Sequence, residues 1–255
     1  MTRRKKTTDQ AGIGAGLTAK QMRRKKPINS DLLLNIEPLT ENQKKLFSSY
    51  DEGKHIVAHG VPGSGKTFVL LYKALKEVLD EISPYEKIYI IRSLVQTREI
   101  GFLPGSHSDK AELFEIPYKN MVKYMFQLPS EADFEMLYGN LKSQETISFW
   151  STSFLRGTTF DNSILIIDEF SNMNAHELDS LITRVGENCK IMFAGDAEQT
   201  DLVRKNERTG IHDFMRILQL MNSFEIIEFG VEDIVRSGLV REYILAKREL
   251  GLTML

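Results

Sequence analysis

Apolar residues fall along this chain in short runs separated by longer amphipathic stretches. Ile56 to His59, Lys87 to Ile91, Thr146 to Trp150, Ser163 to Ile167, Lys190 to Ala194 and Phe224 to Phe229 are four to six residues long and rich in Ile, Val and Phe. Runs this short, apolar on both faces, are the pattern of buried parallel strands. The stretches between them carry helical spacing. Thr40 stands as the N-cap of a helix to about Tyr50, and a second helix runs from the glycine-rich turn after His59 to about Leu79 or Asp80, stopping before Pro84. Residues 109–142 read as two amphipathic helices separated near Pro129, and further helices are expected from Asn174 to about Gly186 and from Gly238 to Leu250. Gly101 to Gly105 reads as a loop, and no element is assigned between Leu202 and Phe224. Strands alternating with helices predict an α/β fold, a mostly parallel sheet with helices on both faces.

Composition narrows the class. A chain of 255 residues that is 42% hydrophobic can bury one sizeable core. Cys189 is the single cysteine, so an intrachain disulfide and a cysteine-held zinc are excluded, and a reducing, cytoplasmic setting is expected. No apolar stretch approaches a membrane span, the N-terminus has no apolar core behind its charges, and no membrane partner is expected. The net charge of −2 hides an asymmetry: residues 1–26 hold nine basic side chains against Asp9, a net of +8 that leaves −10 for the rest. Residues 1–30 are therefore expected to be a flexible basic arm, and 31–255 one domain with a helical insertion at 109–142. Such an arm either pairs with nucleic-acid phosphates or is simply a solvated tail.

The chemistry centres on Gly60-Val61-Pro62-Gly63-Ser64-Gly65-Lys66-Thr67, which fits G-x-x-x-x-G-K-[ST] without a mismatch. Set between a strand and a helix, these residues and Phe68 are expected to cradle nucleotide phosphates on backbone N–H groups. Lys66 supplies a mobile cation and Thr67 a hydroxyl for Mg²⁺. Ile164 to Ile167 is an apolar strand ending in Asp168-Glu169, two carboxylates at a strand tip. Alone, that is a strand running into a polar loop. Downstream of a P-loop, Asp168 is expected to hold Mg²⁺ beside Thr67, and Glu169 to polarise the water that attacks the γ-phosphate. Adjacent acids favour ATPase chemistry over a GTPase-like design.

Asp196 and Gln199 follow another apolar strand and are candidate sensors of the γ-phosphate or the lytic water, the alternative being a plain turn. Gln43 is either an adenine-reading carboxamide or an ordinary exposed glutamine. Arg156, Arg184 and Arg236 fall near element ends; each is a candidate arginine finger, worth about 10³–10⁵ in rate, or a surface ion-pair partner. Lys110, Tyr118, Lys119, Lys123 and Tyr124 mix basic and aromatic side chains, a composition that stacks bases and pairs phosphates or else belongs to a half-buried helix.

Taken together, Gly60 to Thr67, Gly101-Phe-Leu-Pro-Gly105, Arg156-Gly157-x-Thr159, Asp168-Glu169-x-x-Asn172, Leu181-x-Thr183-Arg184-x-Gly186, Gly195-Asp196-x-x-Gln199-x-Asp201-Leu202 and Asp233-x-Val235-Arg236 give a chain that resembles the PhoH-like ATPases of bacteria and bacteriophages, relatives of superfamily 1 helicase cores. The resemblance covers about residues 38–248. It implies a RecA-like fold, ATP and Mg²⁺ as ligands, and a ring of subunits acting on RNA or single-stranded nucleic acid; it also puts Gln43 in the position of the helicase adenine-reading glutamine. The chain departs from the family pattern at Ser93, Thr158 and Ser171, where proline, arginine and glutamine are usual. Superfamily 1 helicases close ATP between two RecA-like domains, whereas this sequence has room for one. A neighbouring copy is therefore expected to supply the missing wall in a head-to-tail homo-oligomeric ring, a hexamer, with Arg156, Arg184 or Arg236 reaching the adjacent γ-phosphate. The alternative is an ATP-bound assembly scaffold or switch without motor activity.

Overall fold

The apolar runs form six strands: β1 (His55–Gly60), β2 (Lys87–Arg92), β3 (Ile147–Ser151), β4 (Ser163–Asp168), β5 (Cys189–Gly195) and β6 (Phe224–Phe229). They make one sheet in the order β3-β2-β4-β5-β1-β6, every pair parallel. The computed structural model describes residues 28–93, 107–155, 157–196 and 205–250. Parallel neighbours need crossovers, and helices supply them: α1 (Glu41–Asp51), α2 (Lys66–Leu79), α3 (His107–Phe126), α4 (Glu131–Ser143), α5 (Ala175–Ile182), α6 (Lys205–Gln219) and α7 (Gly238–Glu249).

Period-two alternation divides the core. Along β4, Ile164 and Ile166 face the layer of α1 to α4, while Leu165 and Ile167 face α5 and α6; all four are fully buried. Met192 and Ala194 of β5 join the first layer, and Ile191 and Phe193 the second. A sheet covered on both faces explains why its strands read as unbroken apolar runs. The chain is already packed at Ile28, which is buried in the first layer, and the Leu34 amide donates to the Met125 carbonyl oxygen. No helix among the described residues is long and apolar enough to cross a membrane.

The α/β class is as expected, and two helices correct the sequence reading. α5 ends at Ile182, short of Gly186, because the chain is captured there by β-type pairing. Phe160 N–H donates to the Arg184 oxygen at 2.9 Å, and Gly186 N–H to the Phe160 oxygen at 2.8 Å. α6 stands where the sequence assigns no element. Its sequence is polar and interrupted by Gly210, yet Ile211, Phe214, Met215 and Leu218 recur at helical spacing and are buried. Gly210 lies where a Cβ would come within 2.8 Å of the Ala175 methyl, so the glycine permits close approach of α6 to α5.

Candidate nucleotide site

The parallel register brings the carboxyl ends of β1, β5 and β4 level, with His59 opposite Gly195 and Asp168 opposite Ala194. β5 separates the P-loop strand from the carboxylate strand, so Asp196 lies between Gly60 and Asp168. A cleft of about 1450 Å³ opens over these strand ends, lined by the P-loop, Gln43, Asp168, Glu169, Asp196 and Arg236. Its other wall includes Ile36, Leu39, Met121 and Tyr124. Phe68, the last residue of the expected phosphate cradle, meets Tyr124 edge-on with ring centroids 5.7 Å apart.

The P-loop has the backbone its glycines allow. Gly60, Gly63 and Gly65 have φ of +113°, +80° and +78°, left-handed geometry that L side chains disfavour. At Gly60 space is also decisive: a Cβ there would stand 2.2 Å from the Phe229 carbonyl oxygen. Gly65 caps α2, so the helix N-terminus points into the cleft. Ser64 is fully buried and donates to the Val61 carbonyl oxygen. The Lys66 ammonium donates to the carbonyl oxygens of Gly60 at 2.8 Å and Val61 at 2.7 Å. Burial lowers its pKa to about 8, against the opposing pull of Asp196, Asp168 and Asp233.

Thr67 and Asp168, 101 residues apart in sequence, meet where the Thr67 hydroxyl donates to Asp168 Oδ1 at 2.8 Å. The other carboxylate oxygen accepts from the Tyr118 hydroxyl at 2.6 Å. A hydroxyl beside a buried carboxylate is a hard-oxygen donor set that suits Mg²⁺, which takes one or two protein ligands and completes its shell with water and phosphate. Among the described residues no group of three His, Cys, Asp or Glu could hold a metal.

Glu169 adopts a left-handed backbone, φ +51°, and is half-exposed. A non-glycine residue in that region costs about 1 kcal/mol or more, a strain typical of functional positions. Its carboxylate is ion-paired with Arg92 at the tip of β2, and the Arg92 guanidinium lies over the Phe114 ring, 5.8 Å from its centroid. Composition singled out neither Arg92 nor the Tyr118–Asp168 bond. A signal for Arg92 is its place at a strand tip on the ligand-binding edge of a parallel sheet.

The other expected residues differ in how near they lie to this cleft. Gln43 is buried, not exposed: its side-chain N–H donates to the Ser64 carbonyl oxygen at 3.0 Å, and its oxygen accepts from Leu39 N–H at 2.8 Å. Its carboxamide braces the P-loop against α1. Arg236 lies on its own chain's P-loop, where a Cβ at Gly63 would come within 2.9 Å of Arg236 Cγ. It is held there because Val235 N–H donates to the Gly63 oxygen, and because buried Asp233 accepts from Asn42 and from Gly230 N–H. Arg236 lines this cleft. Arg184 is remote from it, at the amino ends of β4 and β5, donating to the Ser180 hydroxyl and the Thr158 carbonyl oxygen. Arg156, Gln199, the turn from Gly101 to Gly105 and residues 1–27 of the basic arm lie outside the described residues.

Of the two readings of the insertion, Tyr118 follows that of a half-buried helix. Tyr118 is buried on Asp168, with 2% of its surface exposed, and does not present a base-stacking face. Lys119 pairs with Glu135 at 2.7 Å, Lys123 with Glu131 and Lys142 with Glu115, so α3 and α4 neutralise each other's charges.

Among solved structures, the chain is similar to the large terminase of a thermophilic bacteriophage in complex with ADP, at 13% identity and a TM-score of 0.45 over 81% of this chain and 49% of that one. It is also similar to Bacteroides sp Pif1 in complex with ADP-AlF4, at 18% identity and a TM-score of 0.38 over 86% and 48%. In sequence it is similar to the PhoH-like protein of Mycobacterium leprae, 29% identical over 86% of this chain and 61% of the relative. It is 30% identical to Protein PhoH of Escherichia coli over 78% of this chain and 54% of the relative. The chain thus spans little more than half the length of these curated relatives. The family model described as PhoH-like protein matches residues 35–247, and the chain belongs to that family.

Proposed function

We propose that this protein hydrolyses ATP with Mg²⁺, and that the contact between Thr67 and Asp168 carries the reading. A hydroxyl at the start of the P-loop helix and a carboxylate from a distant strand meet at 2.8 Å, with a second carboxylate, Glu169, next in the chain. The N–H groups of Gly63 to Thr67 and the Lys66 ammonium bind the β- and γ-phosphates. Thr67 and Asp168 would hold Mg²⁺, which when bound neutralises phosphate charge and orients the γ-phosphoryl group. Glu169 takes the proton of the attacking water as the oxygen bonds to phosphorus and the bond to the β–γ bridging oxygen breaks, leaving ADP and phosphate. Its carboxylate must turn from Arg92 to do so. Arg236, seated on Gly63 of the same chain, is placed to offset charge on the transferring group. Gln43 contributes by holding the loop.

Coupling to RNA or single-stranded nucleic acid within a homo-oligomeric ring is the second part of the proposal, supported by the family resemblance and the basic arm rather than by the cleft. The Arg92–Glu169 pair favours one competing reading, a nucleotide-bound switch in which the water-activating acid is kept engaged. Steady-state ATPase measured with and without single-stranded RNA and DNA tests both. Lys66→Ala is expected to abolish turnover, and Glu169→Gln to lower it by about 10²-fold or more while nucleotide binding persists. Turnover unchanged in Glu169→Gln would sink the hydrolytic mechanism. Turnover indifferent to nucleic acid at all salt concentrations would sink the coupling.

A further inference from the structure

Asp168 is held from two sides. Thr67 occupies Oδ1, and the Tyr118 hydroxyl reaches Oδ2 at 2.6 Å from α3, an element of the insertion between β2 and β3. The tyrosine ring is buried against Phe149, with centroids 5.5 Å apart, so the hydroxyl has a fixed approach. A carboxylate that is 8% exposed and deprived of this partner would keep a poorly solvated oxygen and be free to rotate away from Thr67.

We propose that Tyr118 is a positioning residue for the metal site, its hydroxyl holding Asp168 so that Oδ1 stays directed at Thr67. The insertion helix is thereby part of the site, and displacement of α3 changes metal affinity. This rests on the reading of Thr67 and Asp168 as the Mg²⁺-holding pair. Partners that orient a metal-binding carboxylate typically change metal affinity by about 10–100-fold when removed.

The test is Mg²⁺-dependent binding of a fluorescent, non-hydrolysable ATP analogue to the full chain, in wild type, Tyr118→Phe and Asp168→Asn, with EDTA as the metal-free arm. Phenylalanine keeps the ring packed against Phe149 and removes one oxygen. Affinity with and without metal is read on the same sample, so a smaller folded fraction lowers the signal without shifting the ratio. The expected result is unchanged affinity in EDTA and a half-saturating Mg²⁺ concentration raised about 10-fold or more in Tyr118→Phe. A purely structural tyrosine would weaken both arms alike, which overturns the proposal. An unshifted Mg²⁺ curve in Tyr118→Phe, beside a shifted one in Asp168→Asn, overturns the proposal and leaves the metal reading standing. If Asp168→Asn also leaves the curve unshifted, the metal reading fails and the proposal falls with it.

Discussion

Compared with Lys66, the lysines of the α3–α4 hairpin have the same chemistry and the opposite surroundings. Lys66 is buried, bonded to the carbonyl oxygens of Gly60 and Val61, and its pKa falls to about 8. Lys119, Lys123 and Lys142 lie toward solvent, each facing a glutamate across the hairpin. Poor solvation and neutral oxygen partners leave Lys66 a charge that an incoming phosphate can satisfy. The hairpin lysines are already satisfied, and a phosphate would compete with an existing ion pair. Basic composition therefore marks a ligand site only where the fold withholds the counter-charge.

Breaking the cradle around Lys66 should have the largest effect. Gly60→Ala brings a Cβ against the Phe229 carbonyl oxygen at a φ of +113°. It is expected to cost about 2 kcal/mol or more, visible as a lower Tm, and to weaken nucleotide binding; a full-stability variant would mean the loop relaxes freely. A smaller effect should appear in the pH dependence of the nucleotide-free protein. Because the native pKa of Lys66 lies below its ordinary 10.5, the unfolded chain binds more protons between about pH 8 and 10.5. Wild type should therefore gain stability relative to Lys66→Met as pH rises through that window, with a constant difference below pH 8. Parallel melting curves of the two proteins across it would show that the lysine is not poorly solvated. The smallest effect belongs to the hairpin: Lys119→Ala with Lys123→Ala should change stability by under about 1 kcal/mol per pair. Nucleic-acid stimulation of the ATPase should stay within about twofold. A large loss of stimulation would return α3 to the role its composition suggested.

Much of this was legible from residue order. The P-loop is one contiguous run whose glycines and lysine do their work within eight positions, and the strands announce themselves because both sheet faces are covered. α6 was hidden because its apolar face is spread over Ile211 to Leu218 amid polar residues, and because Gly210, a helix breaker in isolation, is required by α5. Gln43 showed its position but not its burial, since its partners, Leu39 and Ser64, are backbone groups that any sequence would carry. Tyr118 read as either a base-stacking aromatic or part of a half-buried helix, because nothing in the sequence of α3 specifies that its partner is a carboxylate 50 residues away.

By itself, then, the sequence determined a parallel α/β domain, its phosphate loop and the two acids at a strand tip, because local geometry and short-range spacing encode those. Only the tertiary structure decided which charges are free to act. It placed Arg92 on Glu169, Tyr118 on Asp168, Arg236 over its own P-loop and glutamates on the hairpin lysines, because the energy of a charge depends on burial and on partners that the chain brings together only by folding.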